Sequence, residues 1–245
     1  MLNQKKVEIF LVKFHKSLAK QFIEVALNNN NNTGTFNKKY NIMNKETLSR
    51  PTAMYIHGLA SGANSNTGKE MQKIFPNYNW LLPEVGEVLI EAIDTINQWI
   101  EKHNPQLIIG TSYGGLMTMY ANAPNATKII CNPAINADVS LAKNIGYGTH
   151  QYFCQRQDGA THFDITPAIC QGIAHYKATH QMIQGINNHA VFSPNDELLG
   201  KEATLDNATI AYTNGFVIHL NPKGGHRMSS STMAIVEHII NMLEV

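Results

Sequence analysis

The chain has 245 residues, 43% of them hydrophobic and 15% charged, with a formal net charge of +1. That is apolar material for a sizeable core in one large domain or two small ones. It leaves no basic surface for nucleic acid, no strongly acidic partner face, and no uncharged apolar run long enough to span a membrane.

At the N-terminus, Lys5 and Lys6 precede "VEIFLVKF", an imitation of a secretion signal. Glu8, Lys13 and Lys16 interrupt the apolar run and no small-residue cleavage site follows, so the expected location is cytoplasmic. A helical pattern fills the region up to residue 27, and the run Asn28 to Asn32 then reads as linker, because asparagine is disfavoured inside helices. Residues 1–50 are therefore expected to form a helical, Asn-rich extension, and residues 51–245 the compact domain. A start of translation at Met43 or Met54 is the alternative. Cys131, Cys154 and Cys170 have no paired spacing and read as reduced thiols, neither a disulfide framework nor a zinc site.

From Thr52 onward, short apolar runs alternate with helical patterns. "AMYIH" is a strand, "GKEMQKIF" a short helix and "NWLLPEV" a second strand-like run. Val88, Leu89, Ala92, Ile93, Ile96, Trp99 and Ile100 then recur at helical spacing until Asn104-Pro105. "QLIIG" is a buried strand and "LMTMYAN" begins the next helix. "TKIICNP", "HAVFSPND" and "GFVIHLNP" supply three more strands. The last helix begins near Ser230, with Met233, Val236, Ile240 and Leu243 on one face. Continuous apolar strands separated by helices predict an α/β fold: a mostly parallel sheet with helices on both faces. Chemistry in such sheets sits at the carboxyl ends of the strands. His57, Ser112, Asp196 and His226 all fall just after a predicted strand.

Gly110-x-Ser112-x-Gly114 lies where a buried strand runs into a helix. A sharp turn there exposes a serine hydroxyl and leaves no room for neighbouring side chains, which accounts for the glycines. The helix start brings free N–H groups and a positive dipole end, so the Tyr113 N–H is one candidate oxyanion donor. The second candidate is the N–H of Leu59, in the His57-Gly58-Leu59 segment after the first strand, with His57 bracing that loop. A glycine-rich packing turn or a phosphate-binding loop is the alternative reading. A serine nucleophile needs a base. Of eleven histidines, His226 in "NPKGGHRMSS" stands between the last strand and the last helix, on a loop freed by Gly224-Gly225. His219 faces a packed layer, and His238 is exposed. The acid is expected in Pro194-Asn195-Asp196-Glu197; Asp196 is nearer the strand end and is preferred over Glu197. The order serine, aspartate, histidine is that of α/β-hydrolases.

The segments "MYIHGLASGANSNTGK", "IIGTSYGGLMTMY", "CNPAI", "PNDELLGKEA" and "NPKGGHRM" cover most of residues 54–230 in order. Through them the chain resembles the small bacterial esterases of the YqiA type, the UPF0227 family, within the α/β-hydrolase superfamily. The "NPA" is a more particular marker of this resemblance than the serine motif. The resemblance implies Ser112 as nucleophile, Asp196 as acid and His226 as base. It also implies an esterase for short acyl esters that needs no cofactor. The chain departs from the family at two places. Pro194-Asn195-Asp196-Glu197 stands where the family commonly has Gly-Asp-Glu, and Arg227-Met228 where it often has an aromatic residue.

Residues 136–186 form a long insertion beside these loops and are expected to make a cap. Tyr147, Tyr152, Phe153 and Phe163 line an acyl pocket there or bury the cap against the sheet. His162-x-Asp164 offers two ligands, which do not make a metal site. The expected function is a serine hydrolase of carboxylic esters, with thioesters in range and a small-molecule ester as its partner. An acyltransferase and a non-catalytic binding protein are the alternatives.

Overall fold

The computed structural model describes residues 50–243, all within the second of the chain's two units, Ser49–Val245. The expected N-terminal extension lies outside the described residues, Arg50 excepted. Six apolar segments form one parallel sheet: β1 (Thr52–Ile56), β2 (Asn79–Leu81), β3 (Leu107–Thr111), β4 (Thr127–Cys131), β7 (Asn187–Phe192) and β8 (Val217–Leu220), in the order β2-β1-β3-β4-β7-β8. The helices between them are α1 (Asn66–Ile74), α2 (Leu89–His103), α3 (Tyr113–Tyr120), α6 (Lys201–Thr213) and the terminal α7 (Ser230–Leu243).

Strand periodicity divides the core cleanly. Met54, Ile56, Ile108, Ile130, Ala190 and Phe192 face one side, where α2, α3 and α6 cover them. Ala53, Tyr55, Leu107, Ile109, Ile129 and Val191 face the other, against Met71 and Phe75 of the α1 segment and Met233, Val236, Ile239 and Ile240 of α7. Each of the larger of these side chains contributes about 2 kcal/mol by leaving water. The fully buried Lys128 breaks this apolar pattern on β4. Its ammonium donates to the carbonyls of Ala121 (2.7 Å), at the end of α3, and Ile183 (2.6 Å), just ahead of β7, while burial pushes its pKa down to about 7.

The insertion between β4 and β7 contains α4 (Ala137–Asn144), β5 (Gly148–Gln151), β6 (His162–Ile165) and α5 (Pro167–Thr179). β5 and β6 pair antiparallel as a separate small sheet, with Gln151 opposite His162. α5 begins with Thr166 capping the Ile169 N–H and Pro167 in the first turn, and its Ile173 and Cys170 join the main core.

The structure differs from the sequence expectation at three elements. β2 ends at Leu81, because Pro83 follows and the strand lies at the sheet edge. α3 starts at Tyr113, so Gly114 and Gly115 lie inside its first turn. α6 has no clear apolar stripe: it buries Thr204, Asn207 and Ala211.

The glycines of the Ser112 turn have a steric cause. A Cβ on Gly110 would collide with Thr118 Oγ1 and the Gly114 carbonyl, and one on Gly114 with the carbonyl oxygens of Ile56 and His57. α3 thus lies directly on the end of β1, at a separation only glycine allows. Gly114→Ala is expected to cost about 3 kcal/mol or more of stability. A lowered urea midpoint at unchanged slope is the measurement.

Candidate active site

Register alignment carries the ends of β1, β3, β4 and β7 to one edge, since Gly110 pairs with Ile56 and Cys131 with both Thr111 and Val191. Ser112 follows β3 in a backbone conformation rare for a side-chain-bearing residue, φ 53° and ψ −120°. Such conformations cost about 1–3 kcal/mol and persist where their surroundings hold them. Here the Ser112 N–H donates to the Cys131 carbonyl (3.0 Å), and its carbonyl accepts from Gly115 (3.0 Å), Leu116 (3.2 Å) and Ala134 (3.0 Å).

The loop after β8 returns His226 to this turn. Its Nε2 lies 2.9 Å from Ser112 Oγ, and its Nδ1 lies 2.7 Å from Asp196 Oδ2. The Asp196 side chain is fully shielded from water. Its other oxygen accepts the N–H groups of Leu198 (3.0 Å) and Leu199 (2.8 Å), so its orientation is fixed from behind. Glu197, the other acid of this loop, points elsewhere. Its Oε2 accepts the backbone N–H of His226 (2.9 Å), and that hydrogen bond holds its carboxyl below the usual range. The loop rests so closely there that a Cβ on Gly225 would lie 2.5 Å from Glu197 Oε2.

The segment after β1 passes against the serine. A Cβ on Gly58 would sit 3.2 Å from Ser112 Cβ and 3.7 Å from its Oγ. Leu59 and Tyr113 line a common cavity of about 10 Å3 with Ala60, Val85, Met117 and Tyr152. As the first residue of α3, Tyr113 has one of the N–H groups that no helix turn satisfies.

A buried polar cluster braces this loop through His57, the histidine expected there, and through Glu84 and Arg156, to which sequence patterning did not point. His57 Nδ1 lies 2.9 Å from the Gly58 carbonyl, and its Nε2 lies 3.3 Å from the Val85 nitrogen. Glu84 Oε1 approaches the same imidazole nitrogen at 3.2 Å and Arg156 Nη1 at 3.0 Å. Burial opposes ionisation of Glu84, but hydrogen bonds from His57 and the Gln157 N–H, with the Arg156 charge, outweigh it and hold its pKa low. Arg156 also donates to the Ser61 and Val85 carbonyls, grips Asp158 and lies over the Tyr152 ring. The Phe153 N–H donates to the Ala60 carbonyl at 2.7 Å. The cap is thereby fastened to the Gly58-Leu59 loop. The bonds that cross from the cap join residues 71 to 95 positions apart in sequence, so no local pattern could have announced them.

Of the four aromatic residues weighed for the cap, Tyr152 lines the cavity and Phe163 is buried against it. Tyr147 and Phe153 are exposed, and Arg227 stands 5.5 Å from the Phe153 ring. Asp164 accepts the Thr149 hydroxyl and His162 meets Thr161. Among the described residues no three potential ligands gather to hold a metal ion. His219 contacts His189 at 3.0 Å inside the β7–β8 pair, and His238 is exposed. No helix among the described residues is long and apolar enough to cross a membrane.

A parallel sheet of this order, with a serine turn after β3 and an acid and a histidine on the loops after β7 and β8, defines the α/β-hydrolase class. Solved structures agree on the fold. Mouse alpha/beta hydrolase domain-containing protein 10 superposes with a TM-score of 0.57 at 12% identity, covering 79% of this chain and 90% of that one. Est1E from Butyrivibrio proteoclasticus, solved with ferulic acid bound, gives 0.56 at 15%, covering 79% and 88%. The monoacylglycerol lipase of Paleococcus ferrophilus gives 0.56 at 12%, covering 80% and 94%. No curated protein matches the chain by sequence. The sequence profile of UPF0227, described as an uncharacterised protein family, matches residues 52–183, and the chain belongs to that family.

Proposed function

We propose that this protein is a serine hydrolase that cleaves carboxylic esters of short acyl groups. The observation that carries the proposal is the unbroken path from Ser112 Oγ through His226 to the buried Asp196, at 2.9 and 2.7 Å. With Asp196 accepting the Nδ1 proton, Nε2 is left free to take the serine proton as Oγ attacks the acyl carbonyl. The N–H groups of Leu59 and Tyr113 stabilise the developing oxyanion. The alcohol leaves with the proton from His226. A water molecule, deprotonated by the same imidazole, then releases the acid and restores Ser112.

The cavity beside Leu59 and Tyr113 has room for about one water-sized group, which favours small acyl chains. The lipase among the structures sharing this fold is named for ester cleavage, in keeping with the reaction class.

A fluorophosphonate tests the proposal, since it modifies only an activated serine. Labelling at Ser112 in the folded protein, strongly slowed in His226→Ala, is the expected result, with acetyl esters turned over faster than octanoyl esters. An unlabelled wild-type protein would rule out a serine hydrolase and favour a binding role for this fold.

A further inference from the structure

We propose that Asn132 is a positioning residue that ties the acid loop to the histidine loop from a segment that also holds the serine turn; the inference rests on the serine-hydrolase reading. Asn132 is the first residue beyond β4, buried to 2% exposure, with φ at +43°. Its segment touches all three loops. On the serine side, the neighbouring Cys131 carbonyl accepts the Ser112 N–H and the Ala134 N–H donates to the Ser112 carbonyl, both at 3.0 Å. On the acid side, the Asn132 N–H continues the ladder to the Val191 carbonyl (2.8 Å), and its Oδ1 accepts the Ser193 N–H (2.7 Å), three residues before Asp196. On the histidine side, its Nδ2 donates to the carbonyls of Gly225 (2.8 Å) and His226 itself (3.0 Å), with Ser193 Oγ at 3.3 Å.

The side chain matches this task in number and kind. An amide has one carbonyl oxygen and two N–H donors, and here the oxygen meets a donor while the two hydrogens have two carbonyls to meet. The Ser193 N–H fixes which end of the amide is oxygen, so the orientation is not ambiguous. Aspartate has no donor for the two carbonyls, and leucine satisfies none of the three groups. Asparagine also tolerates the left-handed backbone better than most residues. The imidazole of His226 therefore hangs from a backbone held at two consecutive carbonyls by the same side chain that fixes the start of the acid loop. Displacement by about 1 Å at a reacting group costs about 10²-fold in rate.

The test is a double-mutant cycle with p-nitrophenyl acetate. Asn132→Gly removes the amide while keeping the positive φ free of strain, and Asn132→Asp keeps the volume while removing both donors. In the wild-type background each variant, folded by circular dichroism, is expected to lose about 10²-fold in kcat with little change in KM, and its pH–rate profile is expected to shift. In a His226→Ala background the same substitutions are expected to cause no further loss, because Asn132 acts through His226. An equal loss in both backgrounds, unchanged kcat in the single variants, or loss of fold in both of them would overturn the assignment. If His226→Ala alone retains full turnover, the serine-hydrolase reading fails as well. If only the Asn132 variants retain it, that reading stands and the positioning role falls.

Discussion

Ser112→Ala is expected to lower ester turnover by about 10⁴-fold or more and to leave the fold intact. Removing Oγ deletes the group that His226 Nε2 approaches at 2.9 Å. The cavity, the Leu59 and Tyr113 N–H groups and the Asp196–His226 pair all remain. Binding of substrate should therefore persist while chemistry stops. Stability separates this effect from misfolding. Alanine bears the same steric cost as serine at φ 53°, so its unfolding free energy should stay close to wild type. Ser112→Gly, equally devoid of a nucleophile, should be more stable than Ser112→Ala by about 1 kcal/mol, because glycine relieves the strained turn. Undiminished turnover in purified Ser112→Ala would remove Ser112 from the chemistry. Equal stability of the two variants would remove the strain argument.

Asp196→Asn is expected to reduce kcat by about 10³–10⁴-fold, through the tautomer of His226. Asp196 Oδ1 accepts two backbone N–H groups, from Leu198 and Leu199, so the oxygen of an introduced amide must stay there. Its NH2 group then faces His226 Nδ1, now 2.7 Å from the carboxylate. Nδ1 becomes an acceptor, the ring proton moves to Nε2, and Nε2 no longer accepts the proton of Ser112. The neighbouring acid supplies the control. Glu197→Gln retains an oxygen for the His226 N–H and should change kcat by about fivefold or less, since exposed charges contribute ~1 kcal/mol or less. If Glu197→Gln proved the more damaging of the two, the acid assignment would be reversed.

Much of this arrangement is legible along the chain because its signals are local. Short apolar runs mark β1, β3, β4 and β7, which are buried on both faces of the sheet. Helical spacing marks α2 and α7, each with one covered face. The glycines around Ser112 mark a turn, since only a missing Cβ lets α3 rest against the Ile56 and His57 carbonyls. α6 escaped notice because its buried residues are Thr204, Asn207 and Ala211, which form no apolar stripe.

By itself, then, the sequence determined the alternation of strands and helices, the serine turn, and that a pair of acids and a histidine follow the last strands. Each of these depends on side chains a few positions apart, whose periodicity and backbone preferences act locally. Only the tertiary structure decided that Glu197 serves the His226 backbone while Asp196 serves its ring, that Arg156 and Glu84 fasten the cap to the Leu59 loop, and that the Asn132 side chain meets the acid and histidine loops at once. Those pairings join residues brought together by parallel strand register, and hydrogen bonding depends on distance and direction in space, which separation along the chain does not encode.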